Sequence, residues 1–188
     1  MAKTFIRTPV PEVVKLLQDE KHDHRTGAIA ILDWKARDKK TTLKEKEDIY
    51  RAYIDNHQWI DDWGLVDRAA PYVVGGYLYD KSRKPLYQLA KSGNAMERRT
   101  AIVSTYYFIR KNDIEDTFKI AEILVHDSAP FVQTAVGSWV REAGKRDETK
   151  LKAFLDKYAK TMPRQTLRYA IEKLDRKTKD VYLGKENE

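Results

Sequence analysis

Apolar residues spaced three and four positions apart recur along most of the chain, and this spacing is the feature that most limits its fold. Clear examples lie in residues 151–158 and 167–174. Residues with this spacing share one face of an α-helix, which has about 3.6 residues per turn. Alternating strand patterns bounded by turn residues are nearly absent. The sequence therefore predicts an all-α protein.

The predicted helices form consecutive pairs. The pairs are about 22–37 with 43–56, 63–79 with 84–92, 95–111 with 114–126, and 129–144 with 148–160, and a final helix near 164–176 ends the stack. Similar segments begin at Arg25, Arg99, Gln133 and Gln165, and the last three recur at intervals of roughly 32 to 34 residues. Helix pairs repeated on this scale favour a helical-repeat solenoid with a concave face, and a compact irregular bundle is the alternative.

The length of the chain fits one domain. We predict a single helical-repeat domain over residues 1–188, with a frayed tail at 184–188. Cysteine is absent, which excludes disulfides and thiolate metal sites. No apolar run is long enough for a membrane span, and the amino terminus lacks the apolar stretch of a secretory signal.

The charge of the chain is strongly positive. Its 36 Lys and Arg outnumber its 29 Asp and Glu, which gives a net charge of +7 and a pI near 9.3. A surface of this kind suits the phosphate backbone of a nucleic acid or another polyanion. The alternative is a solvated basic surface with no specific partner.

Motifs that would identify a familiar cofactor site are missing from the sequence. There is no glycine-rich phosphate loop, zinc-protease helix or nucleophile elbow. The four histidines are scattered, and three converging metal ligands cannot be named. We therefore expect neither a metal nor a cofactor.

The most unusual segment is WIDDWGLVDR, residues 59–68. Trp63 and Asp67 are four residues apart, so they share one face of a helix. An aromatic ring beside a carboxylate can hold a cationic ring and stabilise positive charge on it. The alternative is a core tryptophan with a carboxylate that interacts favourably with the start of a helix.

Basic residues in two later segments could contact phosphates. Arg98 and Arg99 lie near the start of a predicted helix, and neighbouring side chains there point about 100° apart. Further along the chain, the candidate DNA contacts are Ser138, Trp139, Arg141, Lys145, Arg146, Arg164 and Arg168. A run of charges is more often a solvated face, so each residue alone is weak evidence.

Taken in order, several segments resemble the AlkD-type DNA alkylation repair glycosylases. Residues 63–67, WGLVD, resemble the family segment W-D-L-V-D, and residues 97–103, ERRTAIV, resemble W-E-R-R-x-A-I. Residues 135–145 resemble A-V-G-W-x-L-R-E-x-G-K, and residues 162–172 resemble M-P-R-x-x-L-R-Y-A-I-E. A segment at His22 is similar to H-E-x-R, so the resemblance covers about residues 22–183. No one motif is specific, but the ordered set is.

This resemblance implies a HEAT-like solenoid with a basic concave groove for DNA. It implies hydrolysis of the N-glycosidic bond of N3- and N7-alkylated purines in duplex DNA, without a metal. Asp67 would stabilise the oxocarbenium-like sugar, and Trp63 would form an aromatic wall against the deoxyribose. Arg99 would hold the DNA backbone near the lesion, with Arg98 as the second choice. We expect a monomer acting in the cytoplasm, associated with the nucleoid.

Three departures from the family pattern leave other functions open. Ser138 occupies the place of the second groove tryptophan, with Trp139 displaced by one position, and Met96 replaces the tryptophan of W-E-R-R. Because the resemblance begins near residue 22, residues 1–21 are expected to be a reduced form of the family's amino-terminal helices. The alternatives are a non-catalytic relative that binds distorted or branched DNA, and a helical scaffold for protein partners.

Overall fold

A computed structural model describes residues 2–184. The predicted frayed tail at 184–188 therefore lies, apart from Gly184, outside the described residues. The chain forms two compact units, Met1–Pro85 and Leu86–Glu188. The prediction of a single repeat domain stays a prediction, and each unit is described by itself.

Among the described residues, the first unit contains five α-helices, two 3₁₀ turns and one π-helical turn. In chain order they are a 3₁₀ turn Ala2–Phe5, α1 Val10–Leu17, α2 His22–Arg37, α3 Leu43–Ile54, a 3₁₀ turn His57–Trp59, α4 Trp63–Ala69, a π-helical turn Ala70–Gly75, and α5 Gly76–Leu78. Helix α2 packs against α1, α3 and α4. The core side chains include Leu17, Leu32, Tyr53 and Val66.

The second unit is built around helix α10. Its elements are α7 Ala95–Ser104, α8 Tyr106–Ile109, α9 Glu115–Leu124, α10 Pro130–Gly144, α11 Glu148–Tyr158, α12 Arg164–Ala170 and α13 Arg176–Leu183, and α6 Lys84–Leu89 contains the boundary between the units. Helix α10 packs against α7, α9, α11 and α12.

The prediction of an all-helical protein is confirmed, because residues 2–184 contain helices and turns and no strand. Several predicted helices match closely, among them 22–37, 129–144 and 148–160. Within each unit, some helices adjacent in sequence pack against each other, such as α1 with α2 and α9 with α10, which is consistent with a helical repeat. The concave basic groove stays a prediction.

Two predicted helices differ in detail from the structure. The segment 63–79 is helical throughout, but Pro71 lacks an N–H and its ring disturbs the preceding turn, which widens to a π-helical turn at Ala70–Gly75. Gly75 and Gly76 do not interrupt this segment and adopt ordinary helical angles. The predicted helix 95–111 breaks at Thr105, where the backbone N–H bonds to the carbonyl three residues earlier.

The amino- and carboxyl-terminal segments contain helices that the paired prediction did not include. Residues 1–21 contain α1, whose Val13 and Leu17 are fully buried. The final predicted helix, 164–176, is instead two helices, because Asp175 caps a new one by accepting a hydrogen bond from the N–H of Thr178 at 3.0 Å.

Helices α10 and α12 approach each other closely at Gly137. A Cβ atom placed on Gly137 would lie 2.5 Å from the carbonyl oxygen of Thr166 and 2.6 Å from Cβ of Tyr169. The backbone contact leaves no room for a side chain, so the two helices would have to separate.

We therefore predict that Gly137→Ala lowers the free energy of unfolding by about 2 kcal/mol, measured by urea denaturation. Gly27→Ala is the matched control, since Gly27 also lies within a helix but a Cβ there meets nothing within 4 Å. The control should be neutral or stabilising. Equal stability of the two variants would contradict the close approach of α10 and α12.

Candidate functional site

Helix α4 positions the two residues that the sequence singled out most strongly. Asp62 caps the helix by accepting a hydrogen bond from the N–H of Gly64 at 2.7 Å. A Cβ on Gly64 would lie only 2.8 Å from that same carboxylate oxygen, so glycine permits the tight cap. The cap makes Trp63 the first helical residue and places Asp67 one turn later on the same face.

The two side chains differ in how far they reach solvent. Trp63 is 54% exposed and is among the large apolar residues that the protein leaves uncovered. Asp67 is half-buried. The exposure of Trp63 argues against the alternative of a core tryptophan, and a flat exposed ring near a carboxylate can receive a cationic or electron-poor group.

On another side of α4, two arginines meet one buried carboxylate. Asp33 on α2 is 1% exposed and accepts a hydrogen bond from Nε of Arg37 at 2.7 Å. Nε of Arg68, on α4, lies 3.2 Å from its second oxygen. Burial raises the pKa of Asp33 above its usual value, although the hydrogen bond and charge of Arg37 and the charge of Arg68 oppose the shift.

Arg98 is engaged within the second unit. Its Nε and Nη2 donate to the carboxylate of Asp127 at 2.6 and 3.1 Å, and its Nη1 donates to the carbonyls of Ser92 and Gly93. The hydrogen bond to Asp127 raises the pKa of Arg98. This guanidinium ties a loop to a helix, so the arrangement does not favour it as a phosphate contact.

Arg99, the neighbouring residue, makes different contacts. It is 6% exposed, and its Nη1 donates to the carbonyl oxygen of Phe131 on α10. The structure thus gives the two adjacent arginines different surroundings.

The contact made by Arg98 is repeated in other helices. Arg25, Arg98 and Gln133 are each the fourth residue of their helix, and each donates to the carbonyl six residues before it. Arg25 and Arg98 also each donate two hydrogen bonds to an aspartate distant in sequence, Asp61 and Asp127 respectively. The structural equivalent of Arg25 is therefore Arg98, and the sequence alignment that paired Arg25 with Arg99 is wrong by one residue. Arg99 corresponds instead to Thr26.

The predicted residues of α10 are held by local contacts. Ser138 is half-buried. Trp139 stacks on Tyr106 with ring centroids 4.9 Å apart, and its buried Nε1 has no hydrogen-bond partner among the described residues. Arg141 pairs with Glu142 and Glu172, and Lys145 also pairs with Glu142. The charges of Arg141 and Lys145 are thus largely compensated.

The two arginines of α12 are more accessible. Arg164 and Arg168 are exposed and lie one turn apart on the same face. Nη2 of Arg164 donates to the carbonyl of Leu183 in α13 at 3.3 Å. This pair of predicted phosphate contacts is therefore open to a ligand.

The arrangement around Asp33 was not predicted. The spacing of Asp33 and Arg37, four residues apart on one helix, was visible as a candidate ion pair. The contribution of Arg68 depends on how α4 packs against α2, so no local pattern could reveal it.

Residues 2–184 contain no group of three or more His, Cys, Asp or Glu side chains placed to hold a metal ion. None of the helices described is both long and apolar enough to cross a membrane.

The chain was also compared with known proteins. The model of the family described as DNA alkylation repair enzyme matches residues 1–174. The match begins before His22, so the expectation that the resemblance starts there is wrong: the segment containing α1 belongs to the matched region. It ends before α13, which was included in the sequence resemblance. No curated protein matches the chain.

Proposed function

The chain belongs to the DNA alkylation repair enzyme family, and from that premise we propose that it is a monofunctional DNA glycosylase. Its proposed substrates are N3- and N7-alkylated purines in duplex DNA. The observation that carries the proposal is the start of α4, where an exposed Trp63 and a half-buried Asp67 share one face behind a fixed cap.

The chemistry suits a site with one carboxylate and no general acid. An N3- or N7-alkylated purine is already cationic, so it leaves as a neutral base once it takes the electron pair of the glycosidic bond. Positive charge then develops on the deoxyribose, and a negative group at that point lowers the barrier. Water adds to C1′ and loses a proton, which leaves an abasic site.

We assign a role to each residue on this basis. The carboxylate of Asp67 stabilises the developing positive charge and orients the water. The ring of Trp63 packs against the sugar that carries the lesion. In the second unit, the exposed Arg164 and Arg168 are the proposed contacts to the DNA backbone. Arg99 is the weaker candidate, because it is 6% exposed and donates to the carbonyl of Phe131. The proposed partner is duplex DNA, bound by a monomer in the cytoplasm.

The test is to incubate the protein with duplex DNA that contains N7-methylguanine and to separate released bases by chromatography. We expect free N7-methylguanine from this duplex and no guanine from an unmodified duplex of the same sequence. Release from neither duplex, with both still bound, contradicts the proposal and favours the non-catalytic alternative.

That second candidate is a relative that recognises distorted or branched DNA without cleaving the base. It is favoured by Ser138 and Met96, which replace two tryptophans of the family pattern, and by the internal pairing of Arg141 and Lys145. Tight binding to a four-way junction without base release would support it. Negligible DNA affinity at low salt would instead favour a protein scaffold.

A further inference from the structure

We propose that Arg37 and Arg68, both held by the buried carboxylate of Asp33, form a clamp for a phosphodiester of the DNA backbone. We call these three residues the arginine clamp. The inference rests on the proposed function only in taking DNA as the ligand. It assigns a phosphate contact to the first unit, where none was predicted.

Both arginines face the carboxylate of Asp33 with Nε, Arg37 through a hydrogen bond and Arg68 through an ion pair. Nε of Arg37 donates to one carboxylate oxygen at 2.7 Å, and Nε of Arg68 lies 3.2 Å from the other. A contact through Nε leaves the N–H donors of the two Nη groups available for another acceptor. No hydrogen bond from these Nη groups to another described residue is present.

Aromatic rings restrict the guanidinium groups further. The guanidinium carbon of Arg37 lies 3.7 Å from the ring centre of Tyr72, and that of Arg68 lies 5.7 Å from the ring centre of Trp34. Stacking of this kind orients a guanidinium without occupying its N–H donors. The side chains of Arg37 and Arg68 remain 37% and 44% exposed, so a ligand can reach them.

The net charge of the arginine clamp favours the binding of an anion. One arginine would be enough to neutralise Asp33, and the second leaves the three residues with a net positive charge. The second oxygen of Asp33 is buried and accepts no hydrogen bond from the described residues. Burying a carboxylate this fully is costly and stabilises a fold little by itself, whereas it preorganises two cations for a phosphate oxygen.

The position of the clamp fits a DNA strand near the proposed catalytic residues. Arg68 follows Asp67 directly on α4, so its side chain points about 100° away from that of Asp67. A backbone phosphate bound by Arg68 would therefore lie beside the face that carries Trp63 and Asp67. The same two arginines could also take free phosphate, and the experiment separates the two sources.

The test measures how the affinity for an unmodified DNA duplex depends on salt. Each lost phosphate contact should reduce the slope of log K against log salt by about 0.9. We expect this reduction for Arg37→Gln and for Arg68→Gln. Arg51→Gln is the matched control, because Arg51 is an exposed arginine of the same unit that pairs with Glu47 on its own helix. Its slope should equal that of the wild type.

Further variants separate charge from folding. Arg68→Lys keeps the positive charge, so it should keep the wild-type slope even if the fork geometry is lost, and circular dichroism confirms that each variant is folded. Unchanged slopes in both glutamine variants, or an equal loss in Arg51→Gln, overturn the proposal. The proposal is also overturned if the protein binds inorganic phosphate saturably and Arg68→Gln abolishes that binding without changing the affinity for DNA. These measurements do not depend on base release. A failure of the arginine clamp can therefore be distinguished from a failure of the glycosylase proposal.

Discussion

Replacing Asp67 by Asn should slow the release of N7-methylguanine by about 10²- to 10³-fold. Asparagine keeps the size and polarity of the side chain but carries no charge to stabilise the positive sugar. The rate is measured in a single turnover with enzyme in excess over a lesion-containing duplex, so that product release does not limit it.

Asp62→Asn provides the matched control for this experiment. Asp62 is five residues away and also carries a negative charge, but its role is to cap α4 through the N–H of Gly64. Asparagine caps a helix as well as aspartate does, so this variant should retain most of the wild-type rate. Equal slowing of both variants would mean that the local negative charge matters rather than the carboxylate of Asp67.

Replacing Arg98 by Met should lower the free energy of unfolding by about 3 kcal/mol. Asp127, whose side chain is only 4% exposed, would keep its negative charge and lose both hydrogen bonds from the guanidinium. The carbonyls of Ser92 and Gly93 would lose their donor as well. Chemical denaturation monitored by circular dichroism measures the loss.

Lys157→Met is the control for this second prediction. Lys157 pairs with Glu122 in the same unit, but both side chains are open to solvent. Exposed pairs contribute little to stability, so the denaturation midpoint should stay near that of the wild type. If Arg98→Met is as stable as this control and instead loses DNA affinity, then Arg98 is a phosphate contact and its assignment to the loop is wrong.

The helical periodicity predicted the fold well because each buried stripe is a local pattern. The predicted helix 22–37 coincides with α2, whose apolar side chains pack against helices on several sides. The π-helical turn at Ala70–Gly75 was missed because it depends on how the chain relieves the clash at Pro71, which periodicity does not report.

The candidate site was only partly accessible to sequence reasoning. The spacing of Trp63 and Asp67 was enough to place them on one helix face. Arg98 and Arg99 are chemically identical neighbours, so no pattern could tell which one is tied to Asp127. The arginine clamp joins two helices through Asp33, and a contact of that kind is visible only once the helices are packed.

The proposed mechanism requires that Asp67 stabilises positive charge on the sugar. The most direct test compares the affinity of the protein for two duplexes, one with a cationic pyrrolidine in place of the lesion sugar and one with a neutral tetrahydrofuran. Our account predicts that the wild type prefers the cationic duplex by roughly 10²-fold, as for a transition-state analogue, and that Asp67→Asn loses this preference. Equal affinity of the wild type for both duplexes, or a preference that survives in Asp67→Asn, would contradict it.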